Sequence, residues 1–274
     1  MSRLENIFQN RTPVIAMVHL RPLPGSPLYD PRQMPMDKII ETAIQEAQLL
    51  EKAGVDGVQV ENMWDIPYQP GKDIGDETVA ALAACVYAVR KQVSIPVGAE
   101  CHMNGADKAL ACAIAAGAKW IRVFEYCNAF ISQSGFIDAI GGKIARMRRQ
   151  LDAQDIAFLC DVNVKHGSHF IIHDRSVEEQ AMDIEAQDGD CVIVTGFDTG
   201  MPPTLERIEG CHKATKLPIF LGSGIVLDNL DSMFRASDGM IIGSYFKEGG
   251  NWKNPVSYDR TKMFMDRVKA LRGM

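Results

Sequence analysis

The strongest constraint on this chain is a pair of strand openings that recurs four times. One opening is a proline that runs into apolar residues: Pro13-Val-Ile-Ala, Pro96-Val-Gly-Ala and Pro218-Ile-Phe-Leu, with Ile156-Ala-Phe-Leu filling the same slot without proline. The other is a glycine after a helical stretch, followed by an apolar run. It occurs as Gly54-Val-Asp-Gly-Val-Gln-Val, Gly117-Ala-Lys-Trp-Ile-Arg-Val, Gly189-Asp-Cys-Val-Ile-Val and Gly239-Met-Ile-Ile. Short apolar runs bounded by glycine or proline read as buried strands, and each glycine suits the left-handed residue that closes a helix. Eight strands are predicted, at 14–20, 57–62, 96–102, 120–126, 156–162, 191–196, 218–222 and 239–243. Amphipathic helices are predicted between and after them, at 38–53, 77–92, 106–116, 142–153, 176–187, 204–215, 227–235 and 260–271. Alternating βα units with near-continuous apolar strands imply a parallel sheet. Eight such units imply closure into a single α/β domain over 1–274, a (β/α)8 TIM barrel. An open doubly wound sheet is the rival, and the four-fold recurrence of the paired openings favours the barrel.

Charge and cysteine content narrow the function classes. The net charge of −6 and a pI near 5.6 leave no basic field to attract a phosphate backbone, which argues against nucleic-acid binding. Seven cysteines without a CxxC pair fit a reducing compartment. The N-terminal MSRLENIFQNRTP lacks the apolar core of a signal peptide. The longest apolar-rich runs fall short of the ~20 residues that a membrane span needs. The expectation is a cytoplasmic protein with no membrane span, and a homo-oligomer would be ordinary for such a barrel.

In a barrel of this kind, functional groups collect where strands end and βα loops begin. Strand one ends in His19, strand two in Glu61, strand three in Glu100 and His102, and strand five in Asp161, Asn163 and Lys165. The side-chain period of two places Gln59 with Glu61, Gly98 with Glu100 and His102, and Asp161 with Lys165. Arg122 shares a face with Phe124. The helix-facing sides must be apolar, so Glu61, Glu100, Arg122, Asp161 and Lys165 are predicted to point into the barrel as one buried cluster. Buried charges must be paired. Three carboxylates against two cations leave one negative charge for a proton, a metal or substrate to meet.

Lys165 can act as a general acid/base or clamp, or only as an ion-pair partner of Asp161. Glu61, Glu100 and Asp161 could hold a hard divalent metal through oxygen, although no HxH or HExxH spacing indicates zinc. The 127–141 segment is long for a βα loop and reads as a lid. Asp198, Thr199 and Gly200 lie in the loop after strand six.

The last quarter carries an anion-binding pattern. Strand seven ends in Gly222-Ser223-Gly224 and strand eight in Gly243-Ser244. Small residues after parallel strands let a ligand approach backbone N–H groups, and a short helix opening at Ser244 would aim its positive end at an anion. Phosphate binding by the loops after strands seven and eight is a recurring use of this barrel. Gly222, Ser223, Gly224, Gly243 and Ser244 are therefore assigned to a phosphate, with Lys247 as helper.

His19-Leu-Arg-Pro-Leu-Pro-Gly-Ser-Pro27 resembles the BtpA/SgcQ family. So do Asp56-Gly-Val-Gln-Val-Glu-Asn62, Asp161-Val-Asn-Val-Lys-His166 and Val194-Thr-Gly-Phe-Asp-Thr-Gly-Met-Pro-Pro203. Gly222-Ser-Gly224, Asp238-Gly-Met-Ile-Ile-Gly243 and Asn254-Pro-Val256 continue the match. The resemblance implies a barrel of the ribulose-phosphate-binding type. It links the founding member to photosystem I biogenesis and the SgcQ-like members to sugar-uptake genes. The chain departs from the family at Asn163, where a histidine is common, and at Glu100 and His102, where the third strand usually lacks both groups.

Two expectations follow. The first is an enzyme acting on a small phosphorylated metabolite, a sugar phosphate or nucleotide-like compound, by acid/base isomerisation, cleavage or hydrolysis. Glu61, Glu100, Asp161 and Lys165 would supply the chemistry, with Arg122 and His19 beside them. The second is a non-catalytic assembly or stability factor that uses the barrel as a docking body.

Overall fold

A computed structural model describes residues 3–196 and 200–273. Eight parallel strands close into a barrel in sequence order: β1 Val14–His19, β2 Gly57–Glu61, β3 Val97–Glu100, β4 Trp120–Val123, β5 Ala157–Val162, β6 Cys191–Val194, β7 Ile219–Leu221 and β8 Gly239–Ile242. The closing edge pairs β8 with β1. All eight expected strands are present, most of them trimmed by one to three residues at the ends. Helices lie between them: α1 Arg3–Ile7 before β1, then α2 Met36–Ala53, α3 Asp76–Gln92, α4 Ala106–Ala116, α5 Gly141–Gln150, α6 Val177–Ala186, α7 Leu205–Ala214 and α8 Leu230–Arg235. The last helix, α9 Tyr258–Arg272, follows β8. Of the four glycines expected to close helices, Gly54 (φ 98°) and Gly117 (φ 75°) do so, whereas Gly189 and Gly239 are not left-handed and the helices before them are capped at Gln187 and Ala236.

Two layers of apolar side chains fall out of the strand period. Val14, Ala16, Val58, Val60, Val97, Ile121, Phe158 and Cys160 face outward into the helix layer. Ile15, Met17, Trp120, Leu159, Ile193, Phe220 and Ile241 fill the barrel interior at its floor. The short α1, absent from the sequence expectation, plugs this floor with Leu4, and Phe8 just after it completes the plug. Phe8 packs on Trp120 with ring centroids 5.3 Å apart.

Three local features differ from the expectation. The helix expected over 227–235 begins only at Leu230, because Asn229 ties the preceding turn to itself: its Oδ1 accepts from Val226 N–H and its Nδ2 donates to Gly224 O. The helix expected at Ser244 is a single 3-10 turn, Ser244–Phe246. The 127–141 segment contains a hairpin, Phe130–Ser132 with Gly135–Ile137, to which Gly167–Ser168 adds an antiparallel strand. Phe130 and Ile137 bury themselves with Met103, Phe124 and Val164, so the segment is a folded cap pinned to the mouth. No helix among the described residues is long and apolar enough to cross a membrane.

Gly98 has a specific packing task. An added Cβ would lie 2.1 Å from the indole of Trp120, which crosses the barrel over this residue. Gly98→Ala should therefore lower the unfolding free energy by about 1–3 kcal/mol or more through overpacking. Denaturant unfolding reads this directly, and an unchanged midpoint would contradict the packing described.

Candidate functional site at the barrel mouth

Strand register brings the acidic groups together. His19 of β1 sits opposite Glu61 of β2, and Glu61 opposite Glu100 of β3, so three polar side chains form one row across adjacent strands. His19 Nε2 lies 3.1 Å from Glu61 Oε1. His102, just beyond β3, reaches back between the two glutamates, with its Nε2 3.4 Å from Glu61 Oε2 and 3.5 Å from Glu100 Oε1. Its ring is held by Tyr68, stacked at 5.0 Å, and Phe124, edge-on at 4.9 Å. Its backbone N–H donates to Asn62 Oδ1 at 2.8 Å. Glu100 Oε2 accepts from Gln59 Nε2 at 2.5 Å, and Gln59 Oε1 in turn accepts from Trp120 Nε1 at 3.0 Å.

Arg122 and Asp161 form a buried bidentate pair, Nε to Oδ2 at 2.8 Å and Nη2 to Oδ1 at 2.9 Å. This corrects two expectations. Asp161 gives both oxygens to Arg122 and none to the proposed Glu61/Glu100/Asp161 metal set. It is likewise unavailable as the close partner imagined for Lys165. In the place of Asp161 stands His102: Glu61, Glu100 and His102 offer ligand atoms all within 4.8 Å of one another, a group that could hold a metal ion. Among the described residues, Glu61 Oε2, Glu100 Oε1 and both His102 nitrogens are buried without a hydrogen-bond partner.

The two glutamates are driven apart in acidity. Burial pushes Glu100 well above the usual carboxyl range, and the neighbouring charge of Glu61 adds to it. Burial also opposes ionisation of Glu61, but His102 and His19 outweigh it and hold that carboxyl well below its usual value. One carboxylic acid beside one carboxylate is the arrangement that proton transfer requires. Burial, followed by the positive charge of Arg122, pulls the Lys165 ammonium below the ordinary lysine value.

One cavity of about 410 Å³ is lined among others by His19, Glu61, His102, Arg122 and Lys165, and also by Gly222, Ser223, Gly224, Gly243 and Ser244; Gly243 lies against His19, and Gly222 against Arg122. The structure therefore brings together nearly all the residues selected from sequence. Glu100 and Asp161 touch lining residues without reaching the wall themselves, and Lys247 is the full exception. It is 1 % exposed and its Nζ donates to Glu46 Oε2 of α2 at 2.6 Å, so it braces the 3-10 turn against α2 and lies away from the cavity. Two assignments on β7's loop also change in detail. Gly222 N–H donates to Val194 O, and Ser223 Oγ donates to Met201 O, so neither group is left for an anion. The N–H groups of Ser223, Gly224 and Ser244 donate to no acceptor among the described residues. Asp198 and Thr199 lie outside the described residues.

Sequence reasoning missed Arg260, Tyr68 and Trp252, which also line the cavity. Arg260 stands in the first turn of α9, its Nε donating to Tyr245 O at 2.9 Å and its guanidinium over the Tyr245 ring. Unlike the Lys247 ammonium, the Arg260 guanidinium lines the cavity. Nothing in the amphipathic pattern of α9 distinguishes it. Trp252 packs on Trp64 at 5.0 Å and near His19, forming an aromatic wall from two loops distant in sequence.

A closed parallel βα barrel whose strand ends converge on a charged cavity defines a (β/α)8 TIM barrel. Its fold is similar to (S)-3-O-geranylgeranylglyceryl phosphate synthase of Thermoplasma acidophilum, in complex with sn-glycerol-1-phosphate, with a TM-score of 0.59 at 14 % identity over 98 % of this chain and 99 % of that one. Residues 10–270 match the BtpA family, and the chain belongs to that family. An uncharacterised protein of Thermococcus kodakarensis is 36 % identical over 263 residues, 96 % of this chain and 97 % of its own length. The photosystem I biogenesis protein BtpA of Synechocystis is 36 % identical over 263 residues, 95 % of this chain and 89 % of its own.

Glu125, at the end of β4, provides a check on this electrostatic picture. Burial pushes its carboxyl up to about 8, and Asp161 adds to the shift against one N–H donated by Asn128. The folded state thus holds a proton that the unfolded chain has released above its ordinary value. That contribution favours folding at low pH and is lost as pH rises through about 8. Between pH 5 and 8 the native chain should lose stability relative to Glu125→Gln, by up to about 1.4 kcal/mol per pH unit. Parallel stability curves over this range would contradict the assignment.

Proposed function

We propose that this protein is an enzyme acting on a small phosphorylated metabolite, by proton transfer at the C-terminal mouth of the barrel. The observation that carries the reading is one cavity whose wall holds two chemically distinct sets of groups. Backbone N–H groups of Ser223, Gly224 and Ser244, with the Arg260 guanidinium on the same wall, suit a phosphate dianion. Glu61, His19, His102 and Lys165 line the same space, with Glu100 in contact with His102, and can take and return protons on the carbon skeleton that the phosphate anchors. Binding energy from the remote phosphate then serves to orient the reacting atoms. The fold neighbour with a bound glycerol phosphate supports a phosphorylated substrate, either a sugar phosphate or a nucleotide-like compound.

Thermal shift against sugar phosphates and nucleotides, with chelator present, tests this reading. A true ligand at a hundred times its Kd should add about 2.7 kcal/mol of stability, and Gly243→Asp should abolish the effect. That position tolerates a side chain, since an added Cβ meets nothing closer than 3.5 Å, whereas at Gly224 it would strike Met201 and Pro202. If no phosphorylated compound raises the melting temperature, or if Gly243→Asp leaves the rise intact, the reading fails.

A second reading has its own observation. Ile131 and Phe136 on the cap hairpin, with Phe170 and Ile171 beside it, are exposed by 43–76 %, and the Synechocystis relative is named for photosystem I biogenesis. A docking body would use that ridge and tolerate Lys165→Ala. Pull-downs with native chain and Lys165→Ala, compared with Phe136→Ser/Phe170→Ser, separate the two readings.

A further inference from the structure

We infer that Glu61, Glu100 and His102 form a binding site for one first-row divalent transition-metal ion, with Glu61 Oε2, Glu100 Oε1 and His102 Nε2 as its protein ligands. The inference uses the same cavity as the function proposed above, but it stands on geometry that involves no substrate.

Three observations lead to it. First, the three ligand atoms are buried and unused. Glu100 is 1 % exposed and Glu61 3 %, the His102 side chain is 9 % exposed, and each of the three atoms lacks a hydrogen-bond partner among the described residues. A buried carboxylate oxygen without a donor is costly, so three such atoms converging on one point mark a place where something positive belongs. Second, their separations suit a coordination polyhedron better than a hydrogen-bonded clamp. A charge-assisted N–H···O⁻ bond would close to about 2.7–2.9 Å, yet His102 Nε2 stands 3.4 Å from one glutamate and 3.5 Å from the other. Ligands at about 2.0–2.2 Å from one ion are separated by about 3–3.5 Å along the edges of a tetrahedron or octahedron. Third, the remaining atoms of the glutamates are already held in place. Glu100 Oε2 is fixed by Gln59, which Trp120 fixes in turn, and Glu61 Oε1 faces His19 at 3.1 Å. Outer partners that orient ligands in this way are the usual companions of a metal site.

Charge balance and donor type then select the ion. Arg122 gives its hydrogen bonds to Asp161 and only a longer contact, Nη1 to Oε2 at 3.8 Å, to Glu100, which leaves the two glutamates to be met mainly by histidines and a partly buried lysine. A dication matches that remainder. Two carboxylates with one imidazole, and no thiolate, suit Mn²⁺, Fe²⁺, Co²⁺ or Zn²⁺ better than the all-oxygen environment preferred by Mg²⁺ and Ca²⁺. With three protein ligands, open positions would face the cavity, where a water or substrate oxygen can enter.

The test is calorimetric titration of tag-free, chelator-stripped protein with Mn²⁺ and with Zn²⁺, without any phosphorylated compound. One ion per chain is expected, with affinity lowered at least about 100-fold in Glu61→Gln and in His102→Ala, since loss of an outer partner alone costs 10–100-fold. Circular dichroism and melting curves of the stripped variants establish that they fold. Should one variant fail to fold, Glu100→Gln takes its place. Co²⁺ loading gives a second readout, visible absorption bands that disappear in the same variants. Absence of stoichiometric binding in the native chain, or undiminished binding in folded variants, overturns the inference. Because these titrations contain no phosphate and the thermal-shift screen contains chelator, failure of either proposal leaves the other standing.

Discussion

Everything at the mouth of this barrel depends on the bidentate contact between Arg122 and Asp161. A charge taken out of water into a protein interior costs several kcal/mol unless it is met by a partner with good geometry. Here two parallel N–H···O bonds at 2.8 and 2.9 Å satisfy both ions at once. The consequence is spatial. With Asp161 so paired, and Arg122 reaching Glu100 only at 3.8 Å, the less well met negative charge lies on β2 and β3, where Glu61 and Glu100 face each other across one ladder step. Two carboxyl groups so close cannot both ionise cheaply. Their separation into one acid and one base follows from the histidines, both of which lean on Glu61 whereas only His102 also reaches Glu100.

The same residues are tied to the floor of the barrel. Phe8, just after α1, packs under Trp120, Trp120 donates to Gln59, and Gln59 donates to Glu100. Each member answers a requirement of the one before it. An indole N–H inside a barrel needs an acceptor, an amide carbonyl so used leaves its NH₂ pointing up the barrel, and a carboxylate is the acceptor there. Gly98 makes this possible by leaving the volume that the indole fills. Packing at the floor therefore fixes the angle of a carboxylate at the mouth, and a floor substitution acts on site geometry as well as on stability.

How much of this was legible in the sequence follows from the range of each interaction. The strands were readable because proline and glycine punctuate them, and the inward set Glu61, Glu100, Arg122 and Asp161 because alternation along a strand is strict. Which carboxylate Arg122 would choose was not readable, since that depends on the stagger between β4 and β5. Lys247 misled because it follows Ser244 by three residues. Its partner Glu46 lies 201 positions away on α2, and the 3-10 turn that aims it there has no pattern of its own. The reverse holds for Arg260, which reaches the cavity only because α9 starts beside the loop after β8. The cap hairpin escaped notice for a simpler reason: strands of three residues are too short to show a period of two.

The cap explains why the charges at β2 and β3 matter. Phe130 and Ile137 seal against Met103, Phe124 and Val164, and Tyr68 and Phe124 enclose the His102 ring. Water is thereby kept from the glutamate pair on that side, while the cavity approaches it from the other. In such a medium the attraction between a carboxylate and a cation is several times that at an exposed surface. A proton on the pair joins the two unused oxygens but leaves the imidazole nitrogen that faces them unmet, whereas an ion at their centre satisfies all three. The aromatic enclosure and the row of acids thus form one device. The enclosure raises the cost of leaving those oxygens bare, and the register of three strands decides where whatever relieves that cost must sit.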